Sequence, residues 1–209
     1  MSPLDSLLKQ ALRENNIALD EGVQQKLVQY LELMLTWNRV FNLTSITDPR
    51  EMVYLHIMDS LAILPYLHGN HLLDVGTGAG LPGIPLAIVN PETHWTLLDK
   101  NNKKTRFLTQ AAAELNLTQV KVIHSRSEEF HPAQCFDSII SRAYSSLAIF
   151  LETTRHLLAA NGQWLAMKGK YPEDEINDIP DGFRIFDIKR LAIKGMDAER
   201  HLVRLIKEE

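Results

Sequence analysis

The spacing of apolar residues divides the chain into two parts. Over about the first 65 residues, apolar side chains recur every three or four positions, which predicts amphipathic helices. From residue 71 onward, short apolar runs alternate with helical patterns, which is typical of βαβ units in a mostly parallel sheet. The runs predicted to form strands are 71–75, 94–99, 120–124, 136–140, 163–168, 183–191 and 201–207. The last two are close enough in sequence to pair antiparallel.

Two helices can be predicted in the first part. The apolar face of one of them is formed by Val23, Leu27, Tyr30, Leu31, Met34 and Leu35. The other should begin at Asp48, with Asp48 as N-cap, Pro49 at the first helical position and Glu51 at the third. This helix is expected to end before Pro65 and to bury Val53, Ile57, Leu61 and Leu64. The chain is thus predicted to be an α/β protein, with a small helical cap (1–68) on a doubly wound sheet (69–209).

Composition and charge restrict the number of domains, the cellular compartment and the partners expected of this protein. The 209 residues suffice for one domain or one domain with a modest appendage. No apolar run approaches the ~20 residues of a membrane-spanning helix, and the N-terminus lacks the features of a secretory signal. Cys135 is the only cysteine, so we expect a cytoplasmic protein without disulfides or a cysteine-based zinc site. The formal charge of −4 gives no overall attraction for nucleic acid, which would need a local basic face.

The most informative stretch is a glycine-rich loop after the first predicted strand. Gly76, Gly78 and Gly80 follow the apolar strand at a spacing of two, and a helical pattern comes next. Glycines permit positive φ and let a ligand approach the backbone closely, and three of them are costly in a bare turn. In open α/β sheets this position is the ligand crevice. A binding loop is therefore favoured over a purely structural turn.

The frame of the glycines distinguishes two kinds of ligand. Residues 78–83 match G-x-G-x-x-G, the dinucleotide fingerprint, but the turn already begins at Gly76. The better frame places Asp74 two residues before the first glycine, where a carboxylate would accept a hydrogen bond from an ammonium group and repel a pyrophosphate. Asp99 ends the second strand, where an acid takes ribose hydroxyls in either cofactor. The frame resembles the first motif of class I S-adenosylmethionine (SAM) methyltransferases.

Ser127 and Glu128 follow the third predicted strand, and two interpretations of them stay open. In class I methyltransferases the loop at this place brackets the adenine of the cofactor. A helix N-cap with acids in the first turn explains the same residues. Their occurrence together with the glycine loop favours contact with the cofactor.

Several short motifs together resemble one family, the RsmG (GidB) 16S ribosomal RNA guanine-N7 methyltransferases. Residues 72–86 are similar to that family's cofactor loop, apart from Ala79, where the family often has proline. Similar short motifs occur at 37–38, 42–44, 56–60, 141–143, 168–169 and 199–201, so the resemblance covers essentially the whole chain. It implies a class I SAM-methyltransferase fold with a mostly parallel seven-stranded sheet and SAM as the cofactor. It further implies that the cofactor-binding positions include Gly76, Leu81, Ser127, Glu128 and Arg142.

The residues also narrow the chemistry of the methyl acceptor. Cys135 precedes the fourth strand, at the wrong end of the sheet for the nucleophile of a cytosine-C5 methyltransferase. The Asn/Asp-Pro-Pro-aromatic loop of exocyclic-amine methylation is replaced by residues 141–144, Ser-Arg-Ala-Tyr. Guanine N7 presents an in-plane lone pair and needs no general base. We therefore expect in-line attack governed by alignment, with Arg142 as a positioning candidate and no assigned catalytic base.

The expected partner is 16S rRNA or a small-subunit particle, bound by a monomer without metal or membrane. The alternatives are a SAM methyltransferase for a small molecule or protein, an NAD-dependent oxidoreductase and a non-catalytic RNA-binding module. His68 and His71 are interpreted as surface histidines rather than metal ligands. For His56 and Asp59, a local hydrogen bond and a cofactor lid stay equally open. So do RNA contact and a solvated helix face for Lys100, Lys103, Lys104 and Arg106.

Overall fold

A computed structural model describes residues 2–208 and has two contiguous parts, one helical and one built on a sheet. The helical part begins with α1 (Pro3–Glu14) and α2 (Glu21–Phe41). A third helical segment then follows, and its consecutive pieces are α3 (Pro49–Met52), a π-helical turn (Val53–Met58), α4 (Asp59–Leu61) and a 3-10 turn (Leu64–Tyr66).

The predicted start of the third helical segment is confirmed, and its predicted course is partly wrong. Asp48 caps it, with Oδ1 accepting the N–H of Glu51 at 3.0 Å. The α-helical hydrogen-bonding pattern gives way to a π-helical turn, and Pro65 lies inside the 3-10 turn rather than beyond the end. Proline fits there because a first helical turn does not use its missing N–H. Leu64, expected to be buried, is only half-buried.

Seven strands form one sheet with the order β3-β2-β1-β4-β5-β7-β6. The first five strands are parallel, and β7 pairs antiparallel with both β5 and β6. This confirms the mostly parallel seven-stranded sheet and the antiparallel C-terminal pair. The strands are β1 (His71–Val75), β2 (His94–Asp99), β3 (Val120–His124), β4 (Phe136–Arg142), β5 (Leu158–Lys168), β6 (Phe183–Arg190) and β7 (His201–Lys207).

Two strands are longer than predicted. β4 continues beyond residue 140 because Ser141 and Arg142 pair with Ala166 and Met167 of β5. β5 begins at Leu158, five positions before the predicted start. Leu158 pairs with Phe136 and Gln163 pairs with Ser138, so the intervening Ala-Ala-Asn-Gly lies at an irregularity in the pairing, which a pattern of apolar residues does not predict. The helices that connect the strands are α5 (Gly83–Val89), α6 (Asn102–Glu114), α7 (Leu147–Thr154) and α8 (Glu173–Ile176).

Alternate strand residues serve two separate cores, one on each face of the sheet. Leu72 and Leu97 belong to a large core that also contains the buried side chains of α1, α2, α5 and α6. Leu73 and Leu98 belong to a second core under α7. The helical cap and the sheet therefore share one continuous core on one face. Over residues 2–208, no helix is long and apolar enough to cross a membrane.

Candidate cofactor and acceptor site

A cavity of about 410 Å³ lies at the carboxyl ends of β1, β2, β3 and β4. It is lined by residues 75–76, 98–101, 125–128 and 143–145, together with Lys104 and Ile149. A larger and more open groove of about 560 Å³ lies between α1 and α2, away from this edge of the sheet. The cavity, rather than the groove, occupies the place where open α/β sheets bind ligands. Gly76, Asp99, Ser127 and Glu128, all predicted from the sequence, meet in it.

The glycine loop turns immediately after β1. Strand β1 ends at Val75, and Gly76 and Gly78 adopt φ values of 65° and 63°. The N–H groups of Gly76 and Thr77 both donate to the carbonyl oxygen of Leu98, at 2.8 and 3.2 Å. The turn thus starts at Gly76, as the methyltransferase-like frame requires, and not at Gly78, as the dinucleotide fingerprint would require.

The loop is held in place by side chains on both sides. Asp99 Oδ2 accepts the N–H of Gly78 at 2.9 Å, and Asp99 Oδ1 accepts the N–H of Asn101 at 2.8 Å. From the helical cap, the buried Tyr30 hydroxyl donates to the carbonyl oxygen of Ala79 at 2.6 Å. Asp99 is almost fully buried yet lines the cavity. A carboxylate oxygen can accept further hydrogen bonds, so Asp99 remains able to bind hydroxyl groups of a ligand.

Asp74 lies beneath the loop and is fully buried. Its Oδ2 accepts the Thr77 hydroxyl at 2.6 Å and the N–H of Gly83 at 2.9 Å. Its Oδ1 is buried and has no hydrogen-bond partner among residues 2–208. Burial raises the pKa of Asp74 to about 6. An unpaired carboxylate oxygen beside the loop fits a cationic group such as the ammonium of SAM, although Asp74 itself does not line the cavity.

Asp74→Asn separates this charge from the geometry of the loop. The amide oxygen can still accept the Thr77 and Gly83 bonds, whereas the negative charge is lost. We expect SAM affinity to fall by about tenfold, measured by calorimetry at pH 8. An unchanged affinity would show that Asp74 acts only through the loop.

The same variant should also change the pH dependence of stability. Because the pKa of Asp74 is raised from 3.8 to about 6, the stability contributed by its protonated form is lost as the pH rises through about 6. The melting temperature of Asp74→Asn relative to the parent should therefore be higher at pH 8 than at pH 4.5. The full difference corresponds to at most about 3 kcal/mol. A pH-independent difference would contradict this.

Ser127 and Glu128 lie in a 3-10 turn (Ser127–Glu129) at the cavity wall. Arg126, and not Ser127, is the N-cap residue, so the helix-cap interpretation of Ser127 is wrong. The Ser127 hydroxyl instead lies 2.9 Å from Glu128 Oε2 and 2.7 Å from the Tyr144 hydroxyl. Hydrogen bonds from the Glu128 backbone and from Ser127 lower the pKa of Glu128. Glu128 is therefore an anionic acceptor at neutral pH.

Tyr144 is a site residue that the sequence argument did not select. Its ring lies against the loop, since a Cβ at Gly76 would be 2.5 Å from Tyr144 Cδ2. Its hydroxyl bonds Ser127, so Tyr144 connects two of the predicted cofactor positions. The preceding Ala143 has φ 55°, an unusual value for alanine. The signal in the sequence that could have found Tyr144 is an aromatic residue two positions after the end of strand β4.

Gly80 and Leu81, also predicted to bind the cofactor, lie behind the loop. A Cβ at Gly80 would be 2.5 Å from Ile84 Cγ1 and 2.8 Å from Leu108 Cδ2. Leu81 is buried in the core shared with the helical cap. Both residues shape the loop from its inner side, and their direct contact with a cofactor stays a prediction.

Arg142 ends β4 beside the cavity and is part of an ion-pair cluster. Its Nη1 donates to Asp59 Oδ2 at 3.0 Å and to the carbonyl oxygen of Leu55 at 2.8 Å. The Nε of Arg200 donates to Asp59 Oδ1 at 2.8 Å. One carboxylate thus holds two guanidinium groups. Nothing in the pattern of the sequence relates Asp59 to Arg200, which lies 141 residues away.

His56, one turn before Asp59, bonds a different residue. Its Nε2 lies 3.1 Å from the Thr44 hydroxyl. Burial and the charge of Arg142 lower the pKa of His56 to about 4, so it is neutral at neutral pH. The suggested local hydrogen bond between His56 and Asp59 is therefore wrong, because both oxygens of Asp59 accept from arginines and the remaining ring nitrogen of His56, Nδ1, has no hydrogen-bond partner among residues 2–208.

The remaining candidates lie at different distances from the cavity. His71 lies at the amino end of β1, at the opposite edge of the sheet, where its Nδ1 is 3.0 Å from the Cys135 carbonyl oxygen. Lys100 and Lys104 line the cavity, whereas Lys103 and Arg106 are exposed on α6 beside it. The basic cluster thus borders the site, and its contact with RNA stays a prediction.

Comparison with known proteins gives a consistent result. The family model GidB, described as rRNA small subunit methyltransferase G, matches residues 23–203. Proteins named ribosomal RNA small subunit methyltransferase G are similar over most of the chain. The one from Laribacter hongkongensis (strain HLHK9) is 49% identical over 198 residues, 95% of this chain and 96% of that protein. The one from Pseudomonas aeruginosa (strain LESB58) is 50% identical over 191 residues, 91% of this chain and 89% of that protein.

Solved structures of methyltransferases share the fold at low sequence identity. The glycopeptide N-methyltransferase MtfA in complex with S-adenosyl-L-homocysteine has a TM-score of 0.62 at 10% identity, over 73% of this chain and 87% of that chain. Magnesium protoporphyrin IX methyltransferase from Synechocystis PCC 6803, with bound SAM, has a TM-score of 0.60 at 14% identity. That match covers 91% of this chain and 99% of that chain.

Proposed function

Since this chain belongs to the GidB family of rRNA small subunit methyltransferases, we propose that it transfers the methyl group of SAM to N7 of a guanine in 16S rRNA. One observation carries the cofactor half of this proposal. Gly76, Asp99, Ser127 and Glu128, predicted from sequence to bind SAM, line a single cavity at the carboxyl edge of the sheet.

Each of these residues has a role suited to SAM. Asp99 would accept hydrogen bonds from the ribose hydroxyls, and the wall formed by Ser127 and Glu128 would take the adenine. Asp74 would stabilise the ammonium group through its unpaired oxygen. When bound, SAM supplies an electrophilic methyl group on its sulfonium. The chain contributes orientation and a largely buried surface rather than a covalent intermediate.

The choice of methyl acceptor rests on the side chains near the end of β4 that could act as a general base. Asp59 is bound by two guanidinium groups. Glu175 is bound by Lys168 at 2.8 Å and by the N–H of Leu147 at 2.7 Å. His56 is buried and bonded to Thr44. Each group has a structural partner, and the one ring nitrogen of His56 without a hydrogen-bond partner among residues 2–208, Nδ1, is buried. This fits an acceptor that needs no deprotonation. The lone pair of guanine N7 is such an acceptor.

The proposal also covers the cellular compartment, the need for a metal, the oligomeric state and the form of the RNA substrate. A ribosomal RNA substrate favours action in the cytoplasm, and SAM chemistry of this kind needs no metal. We also propose that the chain acts as a monomer. Either 16S rRNA or a small-subunit particle would be the substrate.

Mapping of methylated nucleotides tests the proposal directly. Small-subunit rRNA from cells with and without the gene would be compared by mass spectrometry. We expect one 7-methylguanosine to disappear without the protein and to return when purified protein and SAM are added. Parallel reactions with protein-free rRNA and with assembled particles would identify the substrate. Unchanged rRNA, or methylation at another atom, would overturn the proposal and favour a small-molecule or protein substrate.

The absence of a general base has its own signature in the pH profile. Single-turnover methyl transfer at saturating SAM should be nearly constant from about pH 6 to 8.5, because no proton is removed from N7 in the step. Saturation matters because Asp74 has a pKa of about 6 and its protonation would weaken SAM binding at the lower end. A rate that rises through one discrete pKa, and loses that rise when one histidine or acid is replaced, would contradict the N7 mechanism.

A further inference from the structure

We propose that Asp59 is a positioning residue that holds Arg142 and Arg200 as a pair, and that this pair binds a phosphate group of the RNA strand beside the methyl acceptor. The proposal rests on the RNA substrate proposed above. It assigns to the helical cap a role in orienting the acceptor, in addition to its role in the core.

The two arginines come together at the same edge of the sheet as the cavity. Arg142 ends β4 and directly precedes residues 143–145 of the cavity wall. Arg200 directly precedes β7, whose first residue, His201, pairs with Lys168 at the carboxyl end of β5. Arg142 and Arg200 therefore lie at the same edge of the sheet as the cavity, on its β4–β5 side, although neither is among the residues that line it.

Asp59 links the two arginines from the cap. The Asp59 side chain is only 3% exposed, and its two oxygens receive one arginine each, at 3.0 and 2.8 Å. The π-helical turn immediately before Asp59 adds a further contact, because the carbonyl oxygen of Leu55 accepts Arg142 Nη1. π-Helical turns occur frequently at functional sites.

The charge of the cluster is suited to an anion. Two guanidinium groups share one carboxylate, which leaves one positive charge uncompensated within the cluster. The arginine side chains are 23% and 21% exposed. Within residues 2–208, no hydrogen bond is formed by Nη2 of either arginine. Fixed, partly exposed guanidinium N–H groups are the donors that bind phosphate most effectively.

Three variants of the full-length protein test the proposal, each compared with the parent. Asp59→Asn keeps the size of the side chain and removes its charge, and Arg200→Gln removes one of the paired cations. Asp187→Asn is the matched control, since Asp187 also binds an arginine, Arg204 at 3.2 Å, but does so on the β6–β7 side of the sheet. The measurements are SAM affinity, melting temperature, single-turnover rate, and RNA affinity at KCl concentrations from about 50 to 200 mM.

Arg200→Gln should weaken RNA binding by about tenfold. It should also reduce the slope of log K against log salt by about 0.7 to 0.9, the value expected for one lost phosphate contact. SAM affinity and the control should be unchanged. An unaltered salt slope would overturn the phosphate assignment, because a purely structural role would not be tied to counterion release.

Asp59→Asn shows whether Asp59 positions the two arginines or only neutralises part of their charge, because the two roles predict opposite changes in RNA affinity. If Asp59 only reduced positive charge, its removal would strengthen RNA binding and steepen the salt dependence. Positioning predicts the reverse, with RNA binding weakened, the slope reduced and the single-turnover rate lowered by about tenfold. Tighter RNA binding with a normal rate would overturn the proposal.

Two further comparisons keep the test decisive. If Asp59→Asn lowers the melting temperature strongly, the proposal is judged from Arg200→Gln alone, by the slope of log K for RNA binding against log salt. If it folds, the double variant should lose less RNA affinity than the sum of the two single losses, because the effects of residues acting as one unit are not additive. Additive losses would overturn the proposal. A parent protein that fails to methylate rRNA would instead overturn the proposed function.

Discussion

Gly78→Val should abolish SAM binding while the protein remains folded. Gly78 has φ 63°, a conformation that a β-branched residue adopts only with strain. Apart from its two chain neighbours, the nearest heavy atom to a Cβ there, among residues 2–208, would be Lys104 Nζ at 3.8 Å, so its space opens toward the side of the cavity where Lys104 lies. Valine would both displace the loop and enter the space that a cofactor needs. Calorimetry with SAM and a thermal melt measure the two effects separately.

Gly22→Val is the matched control for this variant. Gly22 lies in the first turn of α2, and a Cβ there would have no heavy atom within 4 Å in residues 2–208 beyond its own stretch of helix. SAM affinity should be the same as in the parent. Gly78→Ala should have an intermediate effect, because alanine shares the φ penalty without the branched side chain. Normal SAM binding by Gly78→Val would show that the loop is only a structural turn.

Asp99→Ala should weaken SAM binding by roughly tenfold or more. The variant would lack the charge-assisted hydrogen bonds that the carboxylate is proposed to form with the ribose hydroxyls, each worth about 1.5–3 kcal/mol. It would also lose the bond that holds the N–H of Gly78, so the loop would be less well ordered before SAM binds. A decrease of a few degrees in melting temperature should accompany the loss of affinity.

Asp99→Asn helps to separate the two roles of this carboxylate. Its amide oxygen can still accept the N–H of Gly78, whereas its NH2 group cannot accept the N–H of Asn101. The melting temperature should therefore lie between those of the parent and Asp99→Ala, while affinity for SAM should remain reduced. Asp197→Ala, at an exposed loop position, is the control for loss of an acidic charge. Asp99→Ala with unchanged affinity, measured by calorimetry, would remove Asp99 from the cofactor site.

Local pattern was sufficient for most of the fold. Strands β1, β2, β3 and β7 have the predicted bounds, because each is a short apolar run between polar turns. Strand β5 begins earlier than predicted, since Leu158 pairs with Phe136 ahead of a pairing irregularity at 159–162 that the residue types do not indicate. The π-helical turn was not predicted because no simple periodicity distinguishes it from an α-helix.

The site likewise contains residues that could be predicted from the sequence and residues that could not. Gly76 and Asp99 could be placed because the carboxyl end of a parallel strand determines where such residues meet. The cluster of Asp59, Arg142 and Arg200 could not, since it joins three elements far apart in sequence. The contact of Tyr144 with Gly76 likewise depends on a loop conformation, with Ala143 at positive φ, that the residue types alone do not reveal.

The hydrogen bond from Tyr30 to Ala79 bears on how such a protein can diversify. A buried hydroxyl in α2 supports the backbone of the glycine loop, and the same helix contributes to the core beneath the sheet. The cap is therefore not an accessory that could be exchanged as a module while the rest of the chain is left unchanged. Substitutions in α2 and in the loop must accommodate one another, so inherited change in this protein is expected to be correlated across the two segments.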